Sequence, residues 1–394
     1  MKKITESTEM QSLLHAAKLS RRSFLLAAAR TAAAGAAVIG APAIIGRAPV
    51  HSAKAAFEGE SLIAVSWSGN YEQVFKETVI NPFNEKFGTA AETVGGWEQI
   101  ISQIKAAPED NPPFDVTVAE EFVSSSGLAE KVFLEQDKSA IPNLEAVYPW
   151  FYETRPAEAA KYGIPFGGGT PMLLLRNSLG ITDNSWTVLW REELANRTTL
   201  DSAAWWWTLS VPAVMSDAQP GLEEMWNYPE GTEPLFQELE KLKVAKWFKD
   251  GAEQANLLNQ DEADAAMSYS SDAYTFLESA PGEYTASVPV EGTSAWADWY
   301  FKVRGTRHGE LADVFLNYLL EKETQDRFLA KSLIFMARKD VAIPPQWGDG
   351  YPKSNDDYHR MFQLLSIEGW DGLGSNWDAM DARMKDVVVK TTAG

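Results

Sequence analysis

The chain of 394 residues has no cysteine and only four histidines. Without cysteine it forms no disulfide, no thiolate metal site and no iron–sulfur cluster, and it has no nucleophilic thiol. His308 and His359 are the only histidines beyond residue 55, and neither has a partner at the spacing of a zinc site. The sequence therefore predicts no metal centre, which excludes many enzyme chemistries.

Catalytic motifs are also missing. The sequence holds no Gly-x-Ser-x-Gly, no His-Glu-x-x-His and no phosphate-loop motif. Glu120–Glu121 and Asp261–Glu262 are carboxylate pairs, but adjacent side chains diverge, so we expect one functional or capping group beside one solvated group in each. We predict no enzymatic activity and no cofactor. An exported carbohydrate-active enzyme that uses Glu120 with Asp298 is the alternative from another class.

Basic residues are scarce beyond the N-terminal segment. From residue 56 onward the chain carries 27 Lys and Arg against 53 Asp and Glu, a net charge of −26. Neutralising phosphates needs clustered Lys and Arg, so this balance argues against nucleic acid and anionic membranes as partners. It is compatible with a cationic ligand.

The N-terminal segment has the pattern of an export signal. Arg21 and Arg22 precede Phe-Leu-Leu and an alanine-rich stretch that leads to Ala53-Lys54-Ala55. This pattern is typical of a twin-arginine signal, and Arg30 interrupts a stretch that is too weakly apolar to span a membrane. We predict that residues 1–55 are the signal peptide, cleaved near Ala55, and that the mature protein is periplasmic. A basic amphipathic helix that stays attached is the alternative.

Strand and helix patterns alternate along the mature chain. Residues 62–66 and 115–118 have the pattern of buried strands, and each precedes a helical pattern. Aromatic and aliphatic residues recur every four positions over 71–87, a helix that Pro82 should kink or split. Strand, helix, strand and helix in this order predict an α/β fold with a parallel sheet.

Aromatic residues are the positive anomaly, with 15 tryptophans in the chain. Trp296 and Asp298 are two residues apart and therefore share one face if they lie on a strand. An indole beside a carboxylate suits an ammonium group, which gains cation–π attraction from one and charge-assisted hydrogen bonds from the other. The structural alternative is a helix-capping aspartate beside a packing tryptophan.

Three consecutive glycines, Gly167 to Gly169, lie in a glycine-rich connection at 162–170. No lysine follows them, and 172–176 has the pattern of a strand rather than a helix, which argues against a phosphate loop. The sequence favours a hinge or a place where another group approaches the backbone closely.

The segment 289–298 resembles the spermidine/putrescine-binding proteins of ABC importers, in which Pro-x-Glu-Gly precedes a Trp-x-Asp that holds a ligand ammonium. Similar matches cover most of the mature chain and lie at 66–71, 82–88, 114–120, 162–168 and 261–269. The resemblance implies an α/β, two-lobed periplasmic-binding-protein fold (type II-like), with the ligand in the cleft between lobes and hinge closure on binding. We expect lobe 1 from 57–163 plus 286–325 and lobe 2 from 164–285 plus 326–394.

The resemblance also implies a set of ligand contacts, with two departures from the family. Trp205 stands where polyamine binders place an acidic residue, and Glu120 stands where they place a small hydroxyl residue. Asp272 and Tyr274 are further candidates beside the position of a stacking tryptophan. The predicted ligand-binding residues are Trp67, Tyr71, Glu120, Trp205, Tyr269, Trp296 and Asp298.

The function that the resemblance implies is the periplasmic substrate-binding component of an ABC transporter. We expect a monomer that captures a small cationic ligand, polyamine-like or another amine, and delivers it to an inner-membrane permease. The same scaffold with a different solute, such as an amino acid derivative, an organic anion or a metal chelate, is the alternative. An anion would need arginine in the cleft, for which Arg176 is the only obvious candidate.

Overall fold

The computed structural model describes residues 56–97, 99–153, 158–215 and 221–392. The predicted signal peptide at 1–55 lies outside the described residues. Within the described part of the chain, no helix combines the length and the apolar character that a bilayer span requires.

The described strands form two sheets. Their bounds are β1 Ser61–Trp67, β2 Ala90–Gly96, β3 Val116–Ala119, β4 Gly163–Gly169, β5 Pro171–Arg176, β6 Thr198–Thr199, β7 Ala265–Tyr269, β8 Tyr284–Ser287, β9 Thr293–Lys302, β10 Phe335–Met336 and β11 Phe362–Leu364. The larger sheet has the order β10-β4-β9-β3-β1-β2, with β11 paired to β9. The smaller sheet has the order β6-β7-β5-β8.

Helices surround both sheets. Their bounds are α1 Asn70–Phe75, α2 Asn81–Phe87, α3 Ile100–Ala106, α4 Glu121–Ala129, α5 Trp150–Glu153, α6 Ala159–Tyr162, α7 Trp205–Met215, α8 Glu233–Leu239, α9 Gly251–Asn259, α10 Ser270–Ser279, α11 Gly309–Leu319, α12 Lys322–Ser332, α13 Asn355–Met361 and α14 Ile367–Thr391. A π-helical turn covers Lys76–Ile80, and 3₁₀ turns cover Lys138–Ala140, Pro142–Ala146, Asn177–Leu179, Trp186–Trp190, Glu192–Leu194, Glu224–Trp226 and Pro345–Gly350.

Pro82 acts as the sequence predicts. The helical pattern of 71–87 is divided into α1, the π-helical turn and α2, and Pro82 lies in the first turn of α2. The backbone is helical on both sides of this junction, and the carbonyl of Thr78, four residues before Pro82, accepts a hydrogen bond from Arg327 Nε at 3.2 Å, because proline has no amide hydrogen to donate. Phe75, Phe83 and Phe87 stay on one buried face across the division.

The two sheets have separate apolar cores, which makes the fold a two-lobed α/β structure. Parallel β1 and β3 are buried on both faces, as strands between helical layers are. One core packs around the larger sheet, and the other packs around Leu173, Met267 and the buried side of α7 and α14. The α/β, two-lobed expectation is confirmed.

The chain crosses between the sheets three times. Thr170 separates β4 from β5, residues 288–292 separate β8 from β9, and residues 365–366 separate β11 from α14. Strand pairing puts β4, β10 and β11 in the larger sheet, although the sequence assigned 164–285 and 326–394 to lobe 2. β10 and β11 have two and three residues and are too short to show an alternating pattern, and β4 is rich in glycine, so the partners of these strands could not be read from the sequence.

Candidate ligand-binding site

A cavity of about 850 Å³ lies between the two sheets, at the upper end of the range for small-molecule pockets. Its wall includes three carboxylates, Glu120, Asp272 and Asp298, and neither lysine nor arginine among the described residues that line it. The aromatic side chains of the wall are Trp67, Tyr71, Trp97, Trp206, Trp207, Tyr269, Trp296, Trp370 and Trp377. The cavity is therefore acidic and largely aromatic.

The lobe 1 wall is built where strands of the larger sheet end. Trp67 ends β1 and Glu120 directly follows β3, and these two strands are parallel. β9 is antiparallel to β3, with Ala119 opposite Trp299, so the first half of β9 reaches the same edge of the sheet. This topology brings Trp67, Glu120, Trp296 and Asp298 together, as the resemblance implies.

Asp298 is the most enclosed carboxylate of this wall, with 1% of its surface exposed. Its Oδ1 accepts a hydrogen bond from Trp67 Nε1 at 2.8 Å, and its Oδ2 lies 3.5 Å from the Tyr71 hydroxyl. Burial raises the pKa of Tyr71 well above its ordinary value, with further increases from Tyr300 and Asp298. Tyr71 therefore stays a neutral donor. Asp298 lies inside β9 rather than at the start of a helix, so it is not the N-cap residue that the structural alternative requires.

Trp296 lies on the same face of β9 as Asp298, and its ring is held by aromatic neighbours. The ring centroids of Trp207 and Tyr269 lie 5.2 Å and 6.0 Å from that of Trp296, with Tyr269 edge-on. A side chain at Gly169 would overlap the Trp296 ring. The lack of a side chain at Gly169 of the glycine-rich strand β4 therefore lets this indole pack directly against the backbone.

Glu120 and Glu121 have different roles. Oε1 of Glu120 accepts a hydrogen bond from the Val123 amide at 3.0 Å and so caps α4, while Glu120 also lines the cavity. Glu121 is only 2% exposed, and its Oε1 accepts a hydrogen bond from the Ala297 amide at 3.1 Å. The expectation of a solvated second carboxylate is wrong here, because the first turn of α4 faces β9.

On lobe 2, Tyr269 ends β7 and donates a hydrogen bond of 2.6 Å to Oδ2 of Asp201. Oδ1 of Asp201 accepts from the amides of Ala203 and Ala204 at 2.7 and 3.1 Å, just before α7 begins. Burial raises the pKa of Asp201 despite these hydrogen bonds. Asp201 therefore fixes both the start of α7 and the orientation of Tyr269.

Asp272 lines the cavity in the first turn of α10. Burial raises its pKa to about 6, and the charges of Asp201 and Asp250 add to the effect. A Cβ at Gly251 would lie 2.7 Å from Cγ of Asp272, so the start of α9 packs directly on this carboxylate. Tyr274, the neighbouring candidate, does not line the cavity; it is buried with its ring centroid 4.7 Å from that of Trp347.

Trp205 does not line the cavity, in contrast to the prediction. It is 2% exposed, and its ring packs behind the wall against Trp206 and Trp377. Trp206 and Trp207 line the cavity instead. Successive residues of a helix point about 100° apart, so the direction of α7 decides which of three consecutive indoles faces the ligand.

Five aromatic wall residues were missed by the sequence reasoning: Trp97, Trp206, Trp207, Trp370 and Trp377. Trp97 is 51% exposed and stacks on Trp67 at a centroid distance of 5.6 Å. Trp370, Leu373, Gly374 and Trp377 all belong to α14 and line the cavity. Their spacing of three, four and seven residues marks one helix face, a signal that the sequence does contain.

Arg176, the candidate for anion binding, forms ion pairs with carboxylates outside the cavity. It does not line the cavity, and its guanidinium forms ion pairs with Asp261 at 2.6 Å and Asp264 at 2.7 Å. The hydrogen bond and charge of Arg197, together with Arg176, lower the pKa of Asp264. These carboxylates neutralise Arg176 at the far end of β5, so it does not serve as an anion ligand in the cavity.

Comparisons with known proteins agree with this architecture. A family described as bacterial extracellular solute-binding protein matches residues 78–352. A crystal structure of an ABC transporter protein from Clostridium perfringens is 24% identical, with 83% of this chain and 99% of that chain covered and a TM-score of 0.63. No match was found among curated proteins.

Two further structures show the same fold at lower identity. A spermidine/putrescine ABC transporter substrate-binding protein from Streptococcus pneumoniae is 17% identical, with 83% of this chain and 100% of that chain covered and a TM-score of 0.68. A periplasmic binding protein from A. tumefaciens R10, solved with agropinic acid, is 17% identical, with 84% and 99% covered and a TM-score of 0.60.

Proposed function

The chain belongs to the family of bacterial extracellular solute-binding proteins, and from that premise we propose that it is the substrate-binding component of an ABC importer and captures a small amine cation. The family is one of binding proteins rather than of enzymes. The observation that carries the proposed ligand charge is the cavity wall, where Glu120, Asp272 and Asp298 meet aromatic rings without a described lysine or arginine.

A cation suits this wall for an electrostatic reason. Two unit charges 4 Å apart interact by about 4 kcal/mol at an effective dielectric constant near 20, so buried carboxylates attract an ammonium and repel an anion. Trp296, Trp207 and Tyr269 add ring faces that attract cations. Agropinic acid occupies a protein of this fold, but an acidic ligand would need basic partners that the described wall of this cavity does not supply.

Glycoside hydrolysis, the enzymatic alternative that uses Glu120 with Asp298, has weaker support. Both residues line one cavity, as paired carboxylates for that reaction must. However, one oxygen of Glu120 caps α4, and Asp298 already accepts a hydrogen bond from Trp67. Each carboxylate therefore already has one oxygen in a hydrogen bond within the protein, which leaves less of it for the acid and the nucleophile or base that the reaction requires.

We further propose that the lobes close on the ligand and that the closed form docks on an inner-membrane permease. Three chain crossings between the lobes allow such a hinge, because each is a segment of no more than five residues. The proposed route to the periplasm is the twin-arginine pathway, with Arg21 and Arg22 as its signal. Replacing both arginines by lysine should retain the precursor in the cytoplasm, measured by cell fractionation; periplasmic mature protein would refute the route.

A ligand screen tests the proposed function. Amines, betaines, amino acids and organic acids are added in turn to the mature protein, and the melting temperature is measured. A ligand that binds only the folded state at 100 times its Kd stabilises it by about 2.7 kcal/mol. We expect amine cations to raise the melting temperature and organic acids to leave it unchanged. Stabilisation by acids alone would refute the proposed ligand charge.

A further inference from the structure

We propose that the ligand joins its cationic group to a bulky apolar body, aromatic or heavily alkylated, which binds against four tryptophans of lobe 2. This surface, here called the tryptophan wall, consists of Trp206, Trp207, Trp370 and Trp377. The inference rests on the proposed function, because it takes the cationic group as given and assigns the remainder of the ligand.

The three carboxylates of the cavity lie outside the two helices that carry the tryptophan wall, and one of them, Asp272 of α10, belongs to lobe 2. Asp298 and Glu120 belong to lobe 1, where Trp67 and the Val123 amide hold them in place. The opposite side is made by α7 and α14, which supply Ala204, Leu373 and Gly374 between the indoles. A ligand whose cation binds Asp298 can therefore extend an apolar body to the indoles of α7 and α14.

The tryptophan wall is held in place before any ligand arrives. Trp207 lies edge-on to Trp370 at a centroid distance of 6.0 Å, and Trp206 lies 5.4 Å from Trp377. Behind them, Trp226 stacks on Trp370 at 6.2 Å, and Trp205 supports Trp377. Rings fixed by other rings lose little conformational entropy on binding, so ligand contact with them is favourable.

Two indoles of the cavity are unusually exposed. Trp377 is 38% exposed and Trp97 is 51% exposed, whereas most large apolar side chains of the described residues are buried. Water on these rings is unfavourable, and an apolar ligand surface would displace it. An unbranched polyamine offers only a thin methylene chain to this area and would bring a second charge toward it.

The experiment compares two quaternary ammonium ions that differ only in their apolar body, together with spermidine as the unbranched polyamine. Tetramethylammonium, benzyltrimethylammonium and spermidine are titrated into the mature protein by isothermal calorimetry. The phenyl ring should raise affinity at least tenfold over tetramethylammonium, since burial of a ring of this size removes a large apolar area from water. Spermidine should bind more weakly than benzyltrimethylammonium.

Variants assign this gain to the tryptophan wall. Trp377→Ala should lower the affinity for benzyltrimethylammonium about five- to tenfold and change that for tetramethylammonium less than twofold. Trp377→Phe should restore most of the loss. Val389→Ala, on the same helix and 78% exposed outside the cavity, is the control and should leave both affinities unchanged.

The outcomes separate the two proposals. The proposal of an apolar body is refuted if spermidine binds more tightly than benzyltrimethylammonium. It is also refuted if Trp377→Ala lowers the affinity for both quaternary ammonium ions equally. In either case the proposal of an amine ligand is not refuted. If no amine binds and organic acids do, the proposed function itself fails.

Discussion

Asp298→Asn should abolish most of the affinity for amines while leaving the fold intact. The carboxylate is 1% exposed, so water screens its interaction with a bound ammonium very little. Asparagine has nearly the same shape and keeps an oxygen that accepts the 2.8 Å hydrogen bond from Trp67 Nε1. The substitution therefore removes the charge with little change in packing.

The expected loss follows from two bounds. A hydrogen bond to a charged group contributes about 1.5–3 kcal/mol, and the Coulomb energy of a pair 4 Å apart is about 4 kcal/mol at an effective dielectric constant of 20. A loss of about 2–4 kcal/mol corresponds to a Kd that is about 30- to 900-fold higher. The melting temperature without ligand should stay the same or rise, because a buried charge is removed.

Calorimetric titration with the tightest-binding amine of the screen measures the Kd, and a thermal melt without ligand measures stability. Asp356→Asn is the matched control, since it removes the same charge from an exposed position in the first turn of α13. An Asp298→Asn protein that binds the amine within threefold of the parent would refute the assignment. Equal loss in both variants would mean that overall charge, not this carboxylate, attracts the ligand.

Three further predictions test the site. Gly169→Ala should displace the Trp296 ring and weaken amine binding at least tenfold in a titration. Gly309→Ala is the control and should not change the affinity, because nothing lies within 4 Å of its added Cβ. Equal affinities of the two variants would refute the close approach of Trp296 to Gly169. The pKa of Asp272 is about 6 in the folded protein, compared with an ordinary value of 3.8 in the unfolded chain. The folded state therefore binds more protons between these values, so the free energy of unfolding should fall as the pH rises from 4 to 6. Amine affinity should rise over the same range, because Asp272 becomes ionised. Asp272→Asn should flatten both profiles in pH-dependent melts and titrations, and unchanged slopes would contradict the raised pKa. Tyr71→Phe should change amine affinity less than threefold, because its hydroxyl lies 3.5 Å from Asp298; a loss above tenfold would mean a direct ligand contact.

Local patterns were sufficient for several parts of the fold. Pro82 divides the helical pattern of 71–87, and the period of two places Trp296 and Asp298 on one face of β9. Both features depend only on backbone geometry over a few residues. The site residues Trp67, Tyr71 and Glu120 needed the family resemblance, since nothing in their spacing alone points to a cavity.

Other features depend on packing between distant segments. Trp205, Trp206 and Trp207 are chemically identical neighbours, and only the orientation of α7 decides that the first is buried behind the cavity. Glu121 is buried because the start of α4 faces the Ala297 amide, a contact between residues far apart in sequence. Neither result follows from local propensity.

The sequence by itself determined several strands and helices of the α/β pattern, the excess of acidic and aromatic side chains, and the local pairing of an indole with a carboxylate. The tertiary structure decided which of these side chains share one cavity. Trp370 and Trp377 of α14 line the same cavity as Trp67 and Asp298. Arg176 instead forms ion pairs with Asp261 and Asp264 outside that cavity. The physical reason is that periodicity specifies which face a residue occupies on its own element, whereas the partner of that face is fixed only when the two cores pack.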